Sequence, residues 1–237
     1  MSDEPQQAGP DDVAERLAAV RRRIAEAARA ADRDPAGVRV VAVSKFQSLA
    51  KILAAHNAGQ ELFGESRAQE LDAKLAEAPP DLRWDFVGRL QRNKVDLVAG
   101  RVGLIHSVDR ARLADAISTH MAGIGGRQDV LIQINVTGEQ RKGGCRPDEA
   151  PVLARHIATL DGIRAVGLMA IPPLDADPGA VFNQLRALRA RLAVDFPGIV
   201  ELSMGMSGDL EAAIAAGATI VRVGTAIFGA RPQGRET

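Results

Sequence analysis

Thirty basic side chains (Lys and Arg) balance thirty acidic ones in a chain of 237 residues, and the formal net charge is +0, so no cationic excess points to nucleic acid or an anionic membrane surface as partner. The single cysteine, Cys145, excludes an internal disulfide and a cysteine-cluster zinc site, and the histidines show no metal-ligand spacing, so no metal site is expected. The polar, acidic start MSDEPQQAGPDD lacks the basic region and apolar stretch of an export signal, and no run is apolar enough to span a bilayer; a cytoplasmic protein with no membrane partner is the expectation.

Residues 1–10 are expected to be a disordered tail. Behind Asp11 and Asp12, Val13, Leu17, Val20, Ile24 and Ala28 recur at helical spacing and predict a leading helix that ends near Pro35 and Gly37. Short apolar runs then alternate with amphipathic stretches. The runs VRVVAVS, ELFGES, WDFVGR, GLIHSV, DVLIQINV, AVGLMAI, VELSMG and TIVRVG predict eight strands. Helical patterns fill the gaps, as in Phe182, Leu185, Leu188 and Leu192 behind Asp177 and Pro178, or Leu210, Ala213 and Ile214 before Gly217. Strict alternation implies a parallel sheet with right-handed crossovers, and eight such units close into a single-domain (β/α)8 TIM barrel, here over 11–230 with an extra N-terminal helix. A doubly wound open sheet is the alternative, but its dinucleotide-binding form needs a glycine-rich turn after the first strand, where this chain has SKFQS. About a dozen residues follow the eighth strand, including a tail at 231–237. They are too few for a full helix, so the leading helix is expected to cover that part of the barrel.

In a parallel barrel the working face is where the strands deliver their C-terminal ends. Polar residues collect there: Lys45 after the first strand, Glu65 and Ser66 after the second, Arg89 after the third, His106, Ser107 and Asp109 after the fourth, Asn135 after the fifth, Ser203 and Ser207 after the seventh, Arg222 and Thr225 after the eighth. A lysine on a loop is ordinarily solvated, whereas at a barrel mouth desolvation can depress its pKa and make a nucleophilic amine accessible. Ser207 reads as the start of a helix, where its hydroxyl and the following N–H groups either face a phosphate or simply cap the helix. Gly224 and Thr225 end the neighbouring eighth strand, and the loops after strands seven and eight form the recurring phosphate site of this architecture. Asp209 counts against an anion there unless its side chain turns away. Arg222, two residues before Gly224 on the same side of the pleat, either aims a permanent charge into the mouth or closes a salt bridge. A lysine nucleophile opposite a phosphate site, with an arginine between, suits a phosphorylated aldehyde whose ring lies across the mouth; pyridoxal 5′-phosphate has those parts. Cys145, among basic neighbours in RKGGCRPDE, is read as an incidental loop cysteine rather than a reactive thiol.

From about Val38 to Gly229, the motifs VAVSK, FGES, DFVGRLQRNK, IHSVD, QINVTGEQRKGG, GLMAIPP, LSMGMSGDLEAAI and VRVGTAIFG resemble, in the same order, the pyridoxal phosphate homeostasis proteins of the YggS/PROSC family, whose barrel is similar to the N-terminal domain of alanine racemase. A monomer is expected because no long exposed apolar stretch demands a partner; the resemblance implies a non-catalytic binder of pyridoxal 5′-phosphate (PLP) that contributes to intracellular homeostasis of the cofactor, with PLP-dependent apoenzymes as recipients. It makes Lys45 the Schiff-base lysine and assigns Ser207, Gly224 and Thr225 to the phosphate and Arg222 to the pyridine nitrogen; Ser66 and Ser203 complete the expected cofactor-binding set. Gly64-Glu65-Ser66 departs from the family's GEN, and Ser44-Lys45-Phe46-Gln47-Ser48 from its SKT-x-P. An amino-acid racemase of the alanine racemase type is the alternative. It needs acid and base on opposite faces of the substrate carbon, and the racemase's tyrosine and second domain have no counterpart here. A Schiff-base aldolase would carry its lysine on the sixth strand, and AVGLMAIPP has none. Asn135 and Lys142 are expected near the mouth without an assigned role.

Overall fold

The computed structural model describes residues 10–136, 143–173 and 175–230. The expected tails and Lys142 lie outside these residues, apart from Pro10, which opens the first helix. Eight parallel strands, β1 (Arg39–Val43), β2 (Leu62–Glu65), β3 (Arg83–Phe86), β4 (Leu104–Val108), β5 (Gln128–Gln133), β6 (Ile163–Met169), β7 (Glu201–Ser203) and β8 (Ile220–Val223), pair in chain order, and β8 returns to β1 to close the barrel. The helices are α1 (Pro10–Ala30), α2 (Leu49–Asn57), α3 (Ala68–Glu77), α4 (Ala111–Gly123), α5 (Ala150–Ala158), α6 (Pro178–Asp195), α7 (Leu210–Ala215) and α8 (Thr225–Phe228). The connection from β3 to β4 is a 3₁₀ segment, Arg92–Leu97, rather than an α-helix.

Alternation along each strand divides the apolar residues into two layers. Val41, Leu104, Leu131, Met169 and Ile220 pack together inside the barrel, while Ala42, Phe63, Ile105, Val130 and Val221 join the larger core between sheet and helices. Gly64 takes an inward position because a Cβ there would lie 2.6 Å from Val41 Cγ1.

All five apolar positions expected in the leading helix are buried. α1 packs against α2, α7 and α8, filling the place that the four-residue α8 is too short to cover. Its arginines tie down neighbouring main chain: Arg21 donates to the Ala58 and Gly59 carbonyls, and Arg33 to those of Ile214 and Ala218. The helix ends at Ala30, before the expected Pro35–Gly37 stop, because Asp32 turns left-handed at φ 52° and Arg33 N–H bonds back to Ala28 O. Pro35–Gly37 form a separate 3₁₀ turn capped by Asp34.

Candidate functional site at the C-terminal mouth of the barrel

Val41 faces the interior and Val43 packs with it, so Lys45 follows at the same alternation, half-buried in a turn closed by the Gln47 N–H on Ser44 O at 2.9 Å. The next residue, Phe46, has φ 62°, a conformation that bulky side chains rarely adopt. Groups outside the barrel hold this turn. Phe46 N–H donates to Glu70 Oε1 at 2.6 Å, and the Arg67 guanidinium lies 4.6 Å from the Phe46 ring centre. Lys74 Nζ donates to Ser44 O, Glu65 Oε1 and Glu70 Oε1 at 2.8, 2.6 and 2.8 Å, and Ser44 Oγ donates to Glu65 Oε1 at 2.7 Å. Glu65 is therefore not a mouth residue as expected. Gly64 occupies the inward position, which turns Glu65 outward beneath α3. Burial there raises its carboxyl pKa above the ordinary value, against the opposing pull of Lys74.

At the other side of the β1–β8 seam, the loop after β7 meets the start of α8. Ser207 Oγ accepts from the Ala226 N–H at 3.3 Å and from the Thr225 hydroxyl at 3.3 Å. Gly224 brings this group close to the lysine turn, since a Cβ on it would lie 3.2 Å from Val43 O. Ser207 does not begin a helix as expected: α7 starts at Leu210, and the helix end facing Ser207 belongs to α8. The Asp209 carboxylate folds back onto the Met206 N–H at 2.6 Å. From α1, Arg23 donates to Ser207 O at 3.0 Å and pairs with Glu211.

Beneath the mouth, a buried hydrogen-bonded chain crosses the barrel. Arg222 donates from Nη1 to Ser203 Oγ at 2.6 Å and from Nη2 to Ala170 O at 3.0 Å; these partners are a hydroxyl and a carbonyl, not the carboxylate of a salt bridge. Burial brings the guanidinium down to about 10, still cationic at neutral pH. His106 Nδ1 lies 2.9 Å from Ser203 Oγ and Nε2 lies 3.0 Å from Asp85 Oδ2. Burial lowers the His106 pKa despite the raising pull of Asp85, so the imidazole is neutral. Because Ser203 Oγ accepts from Arg222, its own proton goes to Nδ1, and Nε2–H donates to Asp85. Sequence reasoning grouped His106 with Ser107 and Asp109 and missed Asp85. The available signal was its inward position in WDFVGR, between the outward-packed Trp84 and Phe86.

The structure thus brings Ser203 together with Arg222, and Ser207 with Gly224 and Thr225. Ser66 is half-buried at the end of β2 and has no hydrogen bond to either group, Arg89 is exposed and Asn135 is half-buried. Cys145 is buried, its thiol pushed up to about 12 chiefly by desolvation, which fits an inert packing residue. Among the described residues no cluster of His, Cys, Asp or Glu could hold a metal ion, and no helix is long and apolar enough to cross a membrane. At the opposite end of the barrel, a hollow of about 920 Å³ is rimmed by Arg39, Glu201, Arg164 and Asp129. Those charges satisfy one another, in pairs at 2.7 Å.

A closed (β/α)8 barrel with a lysine turn, paired hydroxyl-bearing loops and a buried arginine at one mouth defines a class, and the family described as "Alanine racemase, N-terminal domain" matches residues 16–232. The chain belongs to this family, in the branch of the pyridoxal phosphate homeostasis proteins. It is 45% identical over 223 residues to the protein of that name from Pseudomonas aeruginosa, covering 94% of this chain and 97% of the relative. It is 41% identical over 228 residues to that of Escherichia coli K12, covering 93% and 97%. Among solved structures, PipY of Synechococcus elongatus with PLP bound superposes with a TM-score of 0.80 at 36% identity, over 92% of this chain and 100% of that one. Alanine racemase of Corynebacterium glutamicum, at 17% identity and a TM-score of 0.65 over 95% of this chain and 63% of that one, shares the fold alone.

Proposed function

We propose that this chain binds pyridoxal 5′-phosphate at the C-terminal mouth of its barrel, with Lys45 as the covalent anchor, and that it holds and delivers the cofactor without catalysing amino-acid turnover. The observation that carries the reading is the convergence of the Thr225 hydroxyl and the Ala226 N–H on Ser207 Oγ, one strand from the Lys45 turn. Two hydroxyls, a helix-end N–H, a buried guanidinium and a primary amine form a donor set that fits a phosphorylated aromatic aldehyde.

When bound, the cofactor supplies an aldehyde that reacts with amines. Lys45 would supply the primary amine for that aldehyde. Ser207, Thr225 and the N–H groups at the start of α8 would hold the phosphate, and Gly224 would leave it room beside β1. Arg222 would face the ring nitrogen; it offers only donors, and so would keep that nitrogen unprotonated and weaken the ring as an electron sink. Ser203 acts through Arg222, and Ser66 lies at the rim of the ring site. A holding role is supported by the relatives' names, which are those of homeostasis proteins rather than enzymes. The chain contains no tyrosine to serve as a racemase's second acid/base, and His106 is enclosed in the Asp85–Ser203 chain. The protein would act as a monomer in the cytoplasm, with PLP-dependent apoenzymes as recipients. Spectral titration tests the site: PLP should give a saturable new absorbance and pyridoxal, which lacks the phosphate, should bind far more weakly. Equal affinity for both, or no saturable change with PLP, would overturn it.

A further inference from the structure

The groups that hold Lys45 in place lie outside the mouth, at the end of β2 and on α3. Three bonds grip the chain on both sides of Lys45: Ser44 Oγ to Glu65, Ser44 O to Lys74, and Phe46 N–H to Glu70. The Phe46 bond bears on the strained residue, at φ 62°, where a different turn would swing Lys45 away from its place two residues beyond Val43. Lys74 fixes the acceptor by donating to Glu70 Oε1 one helical turn along the same face. We propose that Glu70 is a positioning residue for Lys45, acting through the reach of its carboxylate oxygen to the Phe46 N–H rather than through its charge. The proposal rests on the reading of Lys45 as the covalent anchor.

Two substitutions separate reach from charge. Glu70→Gln keeps an oxygen at the same distance, able to accept from both Phe46 N–H and Lys74, but removes the charge. Glu70→Asp keeps the charge and withdraws the oxygen by one C–C bond. Asp remains favourable in the first turn of a helix, so that variant is expected to fold; Glu70→Ala, which keeps a strong helix former, tests the lost reach by a second route. Each protein is mixed with PLP, and the appearance of the borohydride-stable adduct is followed in time. Affinity for pyridoxine 5′-phosphate, which lacks the aldehyde, is measured alongside. The Gln variant should form adduct within about twofold of the native rate and the Asp and Ala variants about ten- to a hundredfold more slowly, because small misplacements of a reacting group carry penalties of that order. Affinity for pyridoxine 5′-phosphate should be unchanged in all. A native rate in the Asp variant, a Gln variant as slow as Asp, or a parallel loss of pyridoxine 5′-phosphate affinity would overturn the role of Glu70 and leave Lys45 standing. Absence of any adduct in the native protein would instead overturn the anchor itself, and with it the proposal.

Discussion

His106 is wholly buried, and desolvation holds its pKa below the ordinary 6.5. The sign of the consequence follows from linkage. Below about pH 6.5 the unfolded chain takes up a proton at this residue that the folded chain refuses, so stability falls as pH drops from that point towards the folded pKa. For one group the slope is at most about 1.4 kcal/mol per pH unit. His106→Gln, which can still bond Ser203 and Asp85 but does not titrate, should lose less stability between pH 7 and pH 5.5 than the native protein in denaturant melts. Glu65, with its pKa raised above 4.5, contributes with the opposite sign as pH falls, but it is present in both proteins and cancels in the difference. Parallel pH profiles would show that His106 is not held neutral. The residues proposed to meet the ligand stood out in the sequence because they end strands and carry unusual chemistry for that position: Lys45 closing an apolar run, Arg222 beside Gly224. Glu65 did not, because a polar residue near a strand's end does not declare its face, whereas Asp85 was missed although its alternation with Trp84 and Phe86 pointed inward. Gly64 turns Glu65 outward under Lys74, and the inward parity of β3 sends Asp85 to His106.

At the level of elements, α1 does the work of the outer helix that α8 is too short to supply and also steadies the loop after β7, through Arg23 on Ser207 O. Leu17, fully buried at the centre of its apolar stripe, is the position at which this covering is most exposed to test. Leu17→Ala should destabilise the protein by about 2–5 kcal/mol, read as a shift in the guanidinium midpoint with the slope unchanged; a shift within about 0.5 kcal/mol, as for surface substitutions, would mean that α1 is not part of the cooperative core. The spacing Val13, Leu17, Val20, Ile24, Ala28 revealed this helix because burial imposes the 3.6-residue period. Its end was not legible, since a left-handed Asp32 terminates it and Asp carries no strong signal for that conformation. The start of α7 was misread for a similar reason: Ser207 looks like a cap, yet its hydroxyl is engaged by α8 from the next strand, a contact that local sequence does not encode.

For the whole molecule, we propose a barrel mouth with one amine and one phosphate site and, among the described residues, no opposed acid and base. Removing an acid/base partner typically forfeits about a hundred- to ten-thousand-fold in rate. PLP-loaded protein, incubated with a panel of L- and D-amino acids, should therefore show no racemisation, transamination or decarboxylation approaching about 1 per second; turnover in that range, abolished by Lys45→Ala, would make it an enzyme. The most direct measurement is the location of the covalent bond. Native protein is mixed with PLP, reduced with borohydride, digested and analysed by mass spectrometry. The cofactor's mass should appear on the peptide containing Lys45 and disappear in Lys45→Ala; an adduct on another lysine instead, or none at all, would contradict the assignment.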